Sequence, residues 1–506
     1  MKRLIAPILI GAVFGSFAIA KDMDMKAEIE ALKAQMKELR AAQKKINIKS
    51  LKKQLSEVKA HDAHDNIKFS ADLRTAYDIV DYKVNGAPDQ SNGIWTNKFT
   101  LEMAAQPRDD LVFHGALGVY KAFGLNNSAA MNGFQNMDWY ADETPSGDAN
   151  FRLKEAYFIY FGNVGKVPYT VSFGRRPAVN GFLTNYRDDQ DKPASPLGHN
   201  ISMEFDGASF MAQLENVTGI AGMYFKICLG RGNSNADGKY PVFTGYPVMT
   251  AVYPSMTQTP YVKNNWDSPN MDLAGILMKL YDDGQYTAMF NWFKGWNMMG
   301  ANFAYANGVN GANGYMTNLV DVGDLTGGAL SFQISGIGDD ISDFLDDTNV
   351  FASFAWSKTD PKGTHNVIVN PMTGALGAAT EMLGSPKSET GTSYYVGVNF
   401  PCMLVEDARW GLEYNHGSKY WRSFTYGEDT LIGSKLATRG DAYEIFYNLP
   451  LLSKFLTAQF RYTYIDYDYT GSDMFFGSTG TPMDADTTPG AVSSASDLRL
   501  SISYRY

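Results

Sequence analysis

The sequence predicts an all-β transmembrane barrel of about sixteen antiparallel strands, preceded by a short α-helical coiled coil. Three observations carry that expectation. Apolar and polar residues alternate with period 2 over ten-residue stretches from residue 67 to the end. The connections between these stretches are alternately short and long. The chain of 506 residues is also rich in aromatics (13%) and glycine (48) yet only 19% charged. In a hydrocarbon environment a β-sheet must close on itself, because only then does every backbone N–H and C=O find a partner.

The N-terminus comes first. Lys2 and Arg3 precede an apolar run, Leu4 to Ile19, and Ala18-Ile19-Ala20 supplies a small-x-small cleavage pattern, so residues 1–20 are expected to be a secretory signal peptide. Beyond it no stretch holds the roughly 18 apolar residues of a membrane helix. Residues 21–64 are expected to form a coiled-coil helix. Ile29, Leu32, Met36, Leu39, Gln43 and Ile46 follow a 3-4-3-4-3 spacing, and Ile48, Leu51, Leu55 and Val58 resume it after a break at Asn47–Ser50. So narrow a stripe suits self-association better than packing on a globular core. At 1.5 Å per residue the helix would reach roughly 50–55 Å.

Residues 65–506 are assigned to the barrel. In its first strand Phe69, Ala71, Leu73, Thr75, Tyr77 and Ile79 alternate with Ser70, Asp72, Arg74, Ala76 and Asp78. In its last, Leu498, Leu500, Ile502, Tyr504 and Tyr506 alternate with Asp497, Arg499, Ser501, Ser503 and Arg505. The pattern places strands at 67–80, 94–106, 110–122, 151–162, 168–174, 204–215, 219–230 and 271–281. It continues at 284–296, 325–336, 348–358, 391–401, 405–419, 440–449, 453–469 and 495–506. Eight long connections then alternate with seven short ones, as a barrel with both termini on one side requires. Tyr462, Tyr464, Tyr467, Tyr469, Trp292 and Trp296 cluster at strand ends, where amphipathic rings meet the membrane interface.

Chemistry is sparse. Neither a GxSxG elbow nor HExxH occurs, the six histidines are scattered, and Asp466-x-Asp468-x-Thr470-Gly471 lacks the closing Glu of a calcium loop. No catalytic residue, metal site or cofactor is therefore expected, and the chain is not expected to be an enzyme. Cys228 and Cys402 would lie a membrane thickness apart, too far for a disulfide. Residues 69–506 hold 30 Lys+Arg against 46 Asp+Glu, and this acidic balance argues against nucleic acid as a partner.

The pleat assigns lumen-facing charges. Lys98, Arg74, Arg499 and Arg461 fall on the inner faces of the second, first, last and penultimate strands, neighbours in a closed barrel, and would form a basic ladder. Arg152, Lys154, Arg409 and Glu413 are further inward candidates, with Asp72 and Glu102 as nearby carboxylates. Glu155 falls on the apolar face, which points to a bulge in the fourth strand.

The signal peptide, coiled coil, sixteen-strand pattern and terminal Tyr506 together resemble trimeric outer-membrane porins. The closer resemblance is to the porin-like outer-membrane family in which FGRRP, here Phe173 to Pro177, closes a strand; the chain is also similar to dicarboxylate- and phosphate-type porins with an N-terminal coiled coil. The resemblance implies a homotrimer in the outer membrane of a Gram-negative bacterium, with its helix in the periplasm. It implies assembly by machinery reading the C-terminal strand, and passive diffusion of small solutes. It further implies that the third long connection, Arg175–Met203, folds inward as a constriction bearing Arg175, Arg176, Arg187, Asp188, Asp189, Asp191 and Lys192. Its acidic residues would then face the basic ladder across the pore. A plugged structural barrel tethered to periplasmic partners or cell wall, and a sheath around separately encoded haem proteins, remain as alternatives. Deleting Met25–Lys59 is expected to lower the temperature at which the trimer dissociates in detergent; an unaltered oligomer on heating and light scattering would refute the coiled-coil assignment.

Overall fold

The computed structural model describes residues 67–123, 151–176, 181–190, 192–193, 195, 198–236, 269–304, 315–338, 341–362, 365–370, 375–379, 383–425, 428–453, 455–472 and 481–506. The expected signal peptide, the coiled-coil seam and Asp191 lie outside the described residues.

Strands β1 (Lys68–Val84), β2 (Gln90–Arg108), β3 (Leu111–Ala122), β4 (Arg152–Val164), β5 (Val167–Arg176) and β6 (Phe205–Gln213) open an antiparallel meander. It continues through β7 (Tyr224–Asn233), β8 (Met271–Asp282), β9 (Tyr286–Ala304), β10 (Tyr315–Ser335) and β11 (Asn349–Pro361). A side hairpin, β12 (His365–Asn370) with β13 (Ala375–Ala379), leaves the barrel before β14 (Thr390–Pro401), β15 (Arg409–Gly417), β16 (Gly440–Leu452), β17 (Leu456–Tyr467) and β18 (Val492–Arg505) complete it. β18 pairs with β1 in register Asp72↔Arg505 through Tyr82↔Ala495, so sixteen strands close without an edge. Ala71 and Tyr506 exchange backbone hydrogen bonds of 3.0 and 2.9 Å at the seam.

Every one of the sixteen expected strands is present. The departures lie where local chemistry masks the period. β7 starts at Tyr224, later than expected, because Glu215–Thr218 (α1) forms a helical turn that Gly219 ends at φ 74°. β9 and β10 run on past the expected ends and pair as far as Tyr315↔Ala304, in a stretch whose glycines and asparagines hide the alternation. In β4 the bulge is real: Ala116 pairs with Glu155 and Leu117 with Leu153, leaving Lys154 unopposed.

The two faces are inverted relative to a soluble protein. On β18 the outward Leu500, Ile502 and Tyr504 are 52%, 52% and 46% exposed, while the inward Arg499, Ser501 and Ser503 are 0%, 6% and 8% exposed. Phe113, Phe158, Phe210, Leu229, Phe354 and Leu412 extend the apolar exterior around the barrel. Lipid is the medium that such a surface fits. Inside, Ile201, Met203 and Phe424 from two long connections pack with Met271, Leu273, Leu277, Phe293 and Leu325 of the wall. Phe182, Leu183 and Leu436 pack likewise with Met289, Phe351 and Tyr395.

Both cysteines are free. Cys228 faces inward among Ile201, Phe205, Leu273 and Phe424. Cys402 lies in the β14–β15 turn, where backbone N–H groups of Leu404 and then the Tyr447 hydroxyl pull its thiol below the ordinary value. A thiolate is the reactive species. A charged maleimide should therefore label Cys402 in the folded barrel and spare Cys228; equal labelling would contradict the packed interior.

Candidate functional site in the barrel interior

The described parts of two long connections enter the barrel: those of residues 177–204 (L3), between β5 and β6, and of residues 418–439 (L7), between β15 and β16. The L3 tip is held by a side-chain turn, Thr184 donating to the Gly181 carbonyl at 2.9 Å. The wall then caps its carbonyls. Asn448 donates to Tyr186 O at 3.2 Å, Gln459 to Arg187 O, and Arg505 to Asp188 O at 2.8 Å and Asp189 O at 3.2 Å. These donors sit toward the short-turn end of β16–β18, so L3 reaches deep into the barrel. On the way out His199 bridges Ser353 Oγ (2.8 Å) and Ser393 Oγ (2.9 Å), and Asn200 pairs with Asn291 at 2.8 and 3.0 Å.

L7 lies against β14 and β15 because glycine lets its backbone approach. A Cβ at Gly391 would strike the Trp421 backbone, and one at Gly417 the Thr438 carbonyl. Trp421 donates to Leu436 O at 2.8 Å, and Arg439 donates back to Trp421 O at 3.1 Å. L3 and L7 then join: Ser202 N donates to Phe424 O at 2.7 Å and Phe424 N to Asn200 O at 2.9 Å.

Two buried ionic clusters fasten the loops to the wall. In one, the Asp429 carboxylate of L7 meets Arg74, Lys98 (3.4 Å) and Arg499 (3.0 Å), while Arg461 donates to the Asp429 main-chain oxygen at 3.0 Å. In the other, Lys435 of L7 contacts Glu413 of β15 and Glu444 of β16, and Glu428 takes Arg187 of L3. Burial alone would raise the Asp429 carboxyl, but Arg74, Lys98 and Arg499 overcome it and hold it well below the usual carboxylate range. Burial lowers His199 to about 3, so its ring is neutral.

The four ladder residues Arg74, Lys98, Arg461 and Arg499 thus come together, but around a different carboxylate from the one expected. Asp188 pairs with Arg187 in its own loop at 3.1 Å, and Asp189 lies 3.7 Å from Arg505. The expected arrangement of L3 acids facing the ladder is thus modified: the carboxylate the ladder grips is Asp429 of L7, while Asp188 stays within electrostatic reach of Arg461. Arg175 and Arg176 belong to β5, not to the loop. Arg175 approaches Asp206 at 3.7 Å, and Arg176 lies 4.2 Å over the Tyr157 ring. Lys192 is exposed, Arg152 half-buried, and Lys154 pairs with Glu204 at 2.9 Å. Glu413 is in the Lys435 cluster. Arg409 sits at the short-turn rim, hydrogen-bonded to Asn399 and the Asp347 carbonyl.

Sequence reasoning missed Asp429, Glu428, Lys435, Glu444 and His199. One signal was present: Trp421, Phe424, Leu431, Ile432 and Leu436 in L7 are more apolar than a solvated loop has reason to be.

The interior is asymmetric. Among the described residues, inward side chains of β8–β11 and β14–β18 are mostly buried beneath L3 and L7. Along β2–β7, Glu102 is exposed and His114, Glu155, Tyr157, Arg176 and Lys226 are half-buried. His114 stacks on Tyr157 at 5.3 Å and 19°. Partly exposed side chains of mixed charge therefore lie along one side of the lumen.

A closed sixteen-strand antiparallel barrel with an apolar exterior and inward-folded loops has the architecture of a transmembrane β-barrel. Residues 88–506 match the family described as "Protein of unknown function (DUF3373)", and the chain belongs to it. No curated protein matches the sequence significantly. Among solved structures the chain is similar to OprB of Pseudomonas putida (TM-score 0.45, 13% identity, covering 87% of this chain and 94% of that one). An anion-selective porin from Comamonas acidovorans (0.45, 12%, 87% and 99%) and Salmonella typhi OmpF in complex with daunomycin (0.42, 10%, 87% and 97%) are similar too.

The two loop anchors differ in their response to acid. Asp429, with a depressed folded pKa, stabilises at every pH above its unfolded value and loses this only as pH falls through the folded one. His199 is lowered, so the unfolded ring takes a proton first and folding loses stability as pH falls from about 6.5 toward the folded value. From about pH 7.5 to 5 this amounts to ~2 kcal/mol. Thermal unfolding should show that loss in the natural chain and not in His199→Asn; identical pH dependence of the two would refute it.

Proposed function

We propose that this protein is a narrow outer-membrane porin through which small hydrophilic solutes or ions diffuse passively, along the strip that L3 and L7 leave open beside β2–β7. The asymmetry of burial carries this reading. Charged and polar side chains facing the lumen are more exposed along β2–β7 than beneath the loops, which is what a permeation path lined by the wall and the loops requires. The mixture of Glu102 and Glu155 with Arg176 and Lys226 suits polar and zwitterionic solutes better than one ion type. The barrel performs no covalent chemistry and takes no cofactor on this reading. It acts in the outer membrane of a Gram-negative cell as a homotrimer with its N-terminal helix in the periplasm. It is inserted by the barrel-assembly machinery through the β18 strand ending at Tyr506.

The packed interior beneath L3 and L7 favours a second reading, a structural barrel that conducts nothing. Planar-bilayer recording of the full-length protein separates the two. The natural chain should give small, discrete conductance steps, and Glu102→Lys should shift the reversal potential toward anions. Steps that never appear would leave the structural reading, and steps indifferent to Glu102→Lys would move the path away from the strip.

A further inference from the structure

We propose that Arg74, Lys98, Arg461 and Arg499 form a binding site for the carboxylate of a small anionic solute, and that L7 keeps this site shut by holding Asp429 in it as a tethered occupant. The Asp429 side chain is in effect an acetate. Arg74 grips both of its oxygens, Nη1 on Oδ2 and Nη2 on Oδ1 at 3.2 Å, the fork by which guanidinium groups recognise planar carboxylates. Lys98 adds a contact to Oδ2 and Arg499 one to Oδ1.

A loop anchor alone does not call for this many cations. Asp78 and Asp497 also lie on Arg499, the latter at 3.9 Å, and Glu444 lies within electrostatic reach of Arg461, so charge is balanced. Hydrogen-bond donors are what the cage has in surplus. Arg461 is 2% exposed and gives only Nη2, to the Asp429 main-chain oxygen, while its Nε and Nη1 have no hydrogen-bond partner. Buried donors left open are costly, and a second planar acceptor would satisfy them. The cage also has a way in. The Arg74 and Lys98 side chains are 14% and 15% exposed against 4% for Asp429, and Lys98 sits on β2 four residues from Glu102, which the strip leaves in water. Tyr120 closes the back, its ring 5.4 Å from the Arg74 guanidinium and its hydroxyl accepting from Arg499 at 3.4 Å. A solute carboxylate entering from the strip would replace Asp429 among the same donors and release L7 from the wall.

The test reads binding without current, so it is independent of whether the barrel conducts. The full-length protein in detergent is titrated with succinate against chloride at constant ionic strength, and the thermal midpoint is followed. Asp429→Asn empties the cage of its carboxylate, and the half-saturating succinate concentration should fall about tenfold or more relative to the natural chain. Adding Arg461→Gln should cancel the gain. Inorganic phosphate, tetrahedral and not planar, should act more weakly than succinate. Should Asp429→Asn fail to assemble, the natural chain is compared with Arg461→Gln alone: a succinate response that Arg461→Gln removes supports the site, and one that is absent or survives overturns it. Equal responses of the natural chain and Asp429→Asn, a gain that persists with Arg461→Gln, or a larger effect of phosphate would each overturn it as well.

Discussion

The interior is organised by one buried carboxylate. Asp429 carries its charge into a region where moving an ion out of water costs several kcal/mol, and only close cations repay that cost. Arg74, Lys98 and Arg499 do so, and Arg461 adds the main-chain oxygen. Because Arg74, Lys98 and Arg499 hold the Asp429 carboxylate together, L7 stays on the wall. Because Phe424 of L7 exchanges hydrogen bonds with Asn200 and Ser202, L3 is held as well. Asp429 is thus one anchor of the loops that shape the lumen, beside the Lys435 cluster on L7 and the wall donors that hold the L3 tip.

The same contact ties loop docking to barrel closure. Arg74 and Lys98 belong to the first two strands and Arg461 and Arg499 to the last two, so the cage exists only once β18 has paired with β1. Loop docking and barrel closure therefore stabilise each other, since Asp429 has all its partners only in the closed barrel. The glycines at 391 and 417 leave room on the wall for the L7 backbone.

The barrel was legible in the sequence because lipid on one side and a lumen on the other impose a strict period of 2 on every strand. Phe69 to Ile79 and Leu498 to Tyr506 show it without interruption. The inward direction of Arg74, Lys98, Arg461 and Arg499 followed from the same pleat. Their partner did not, because Asp429 sits in a connection with no period and is brought to them by contacts between residues hundreds of positions apart. Resemblance to porins drew attention to the acidic run Asp188–Asp191 of L3, yet Arg187 and Arg505 engage Asp188 and Asp189 first. Position in L3 implied a role, whereas local pairing decided it. The β4 bulge was legible for the opposite reason. A carboxylate on the lipid face is costly, and inserting one extra residue into the strand, here Lys154, turns Glu155 away from that face.

That two loops are part of the packed interior, and not solvated connections, is tested most directly by hydrogen exchange of the full-length protein in detergent. Peptides covering 198–204 and 428–439 should exchange as slowly as the strands they lie against, because the loops are bonded through their amides, Ser202 N to Phe424 O, Phe424 N to Asn200 O and Ala437 N to Ser434 O among them. Exchange of both peptides within seconds, beside fully protected strands, would show the loops undocked and contradict the account of the lumen.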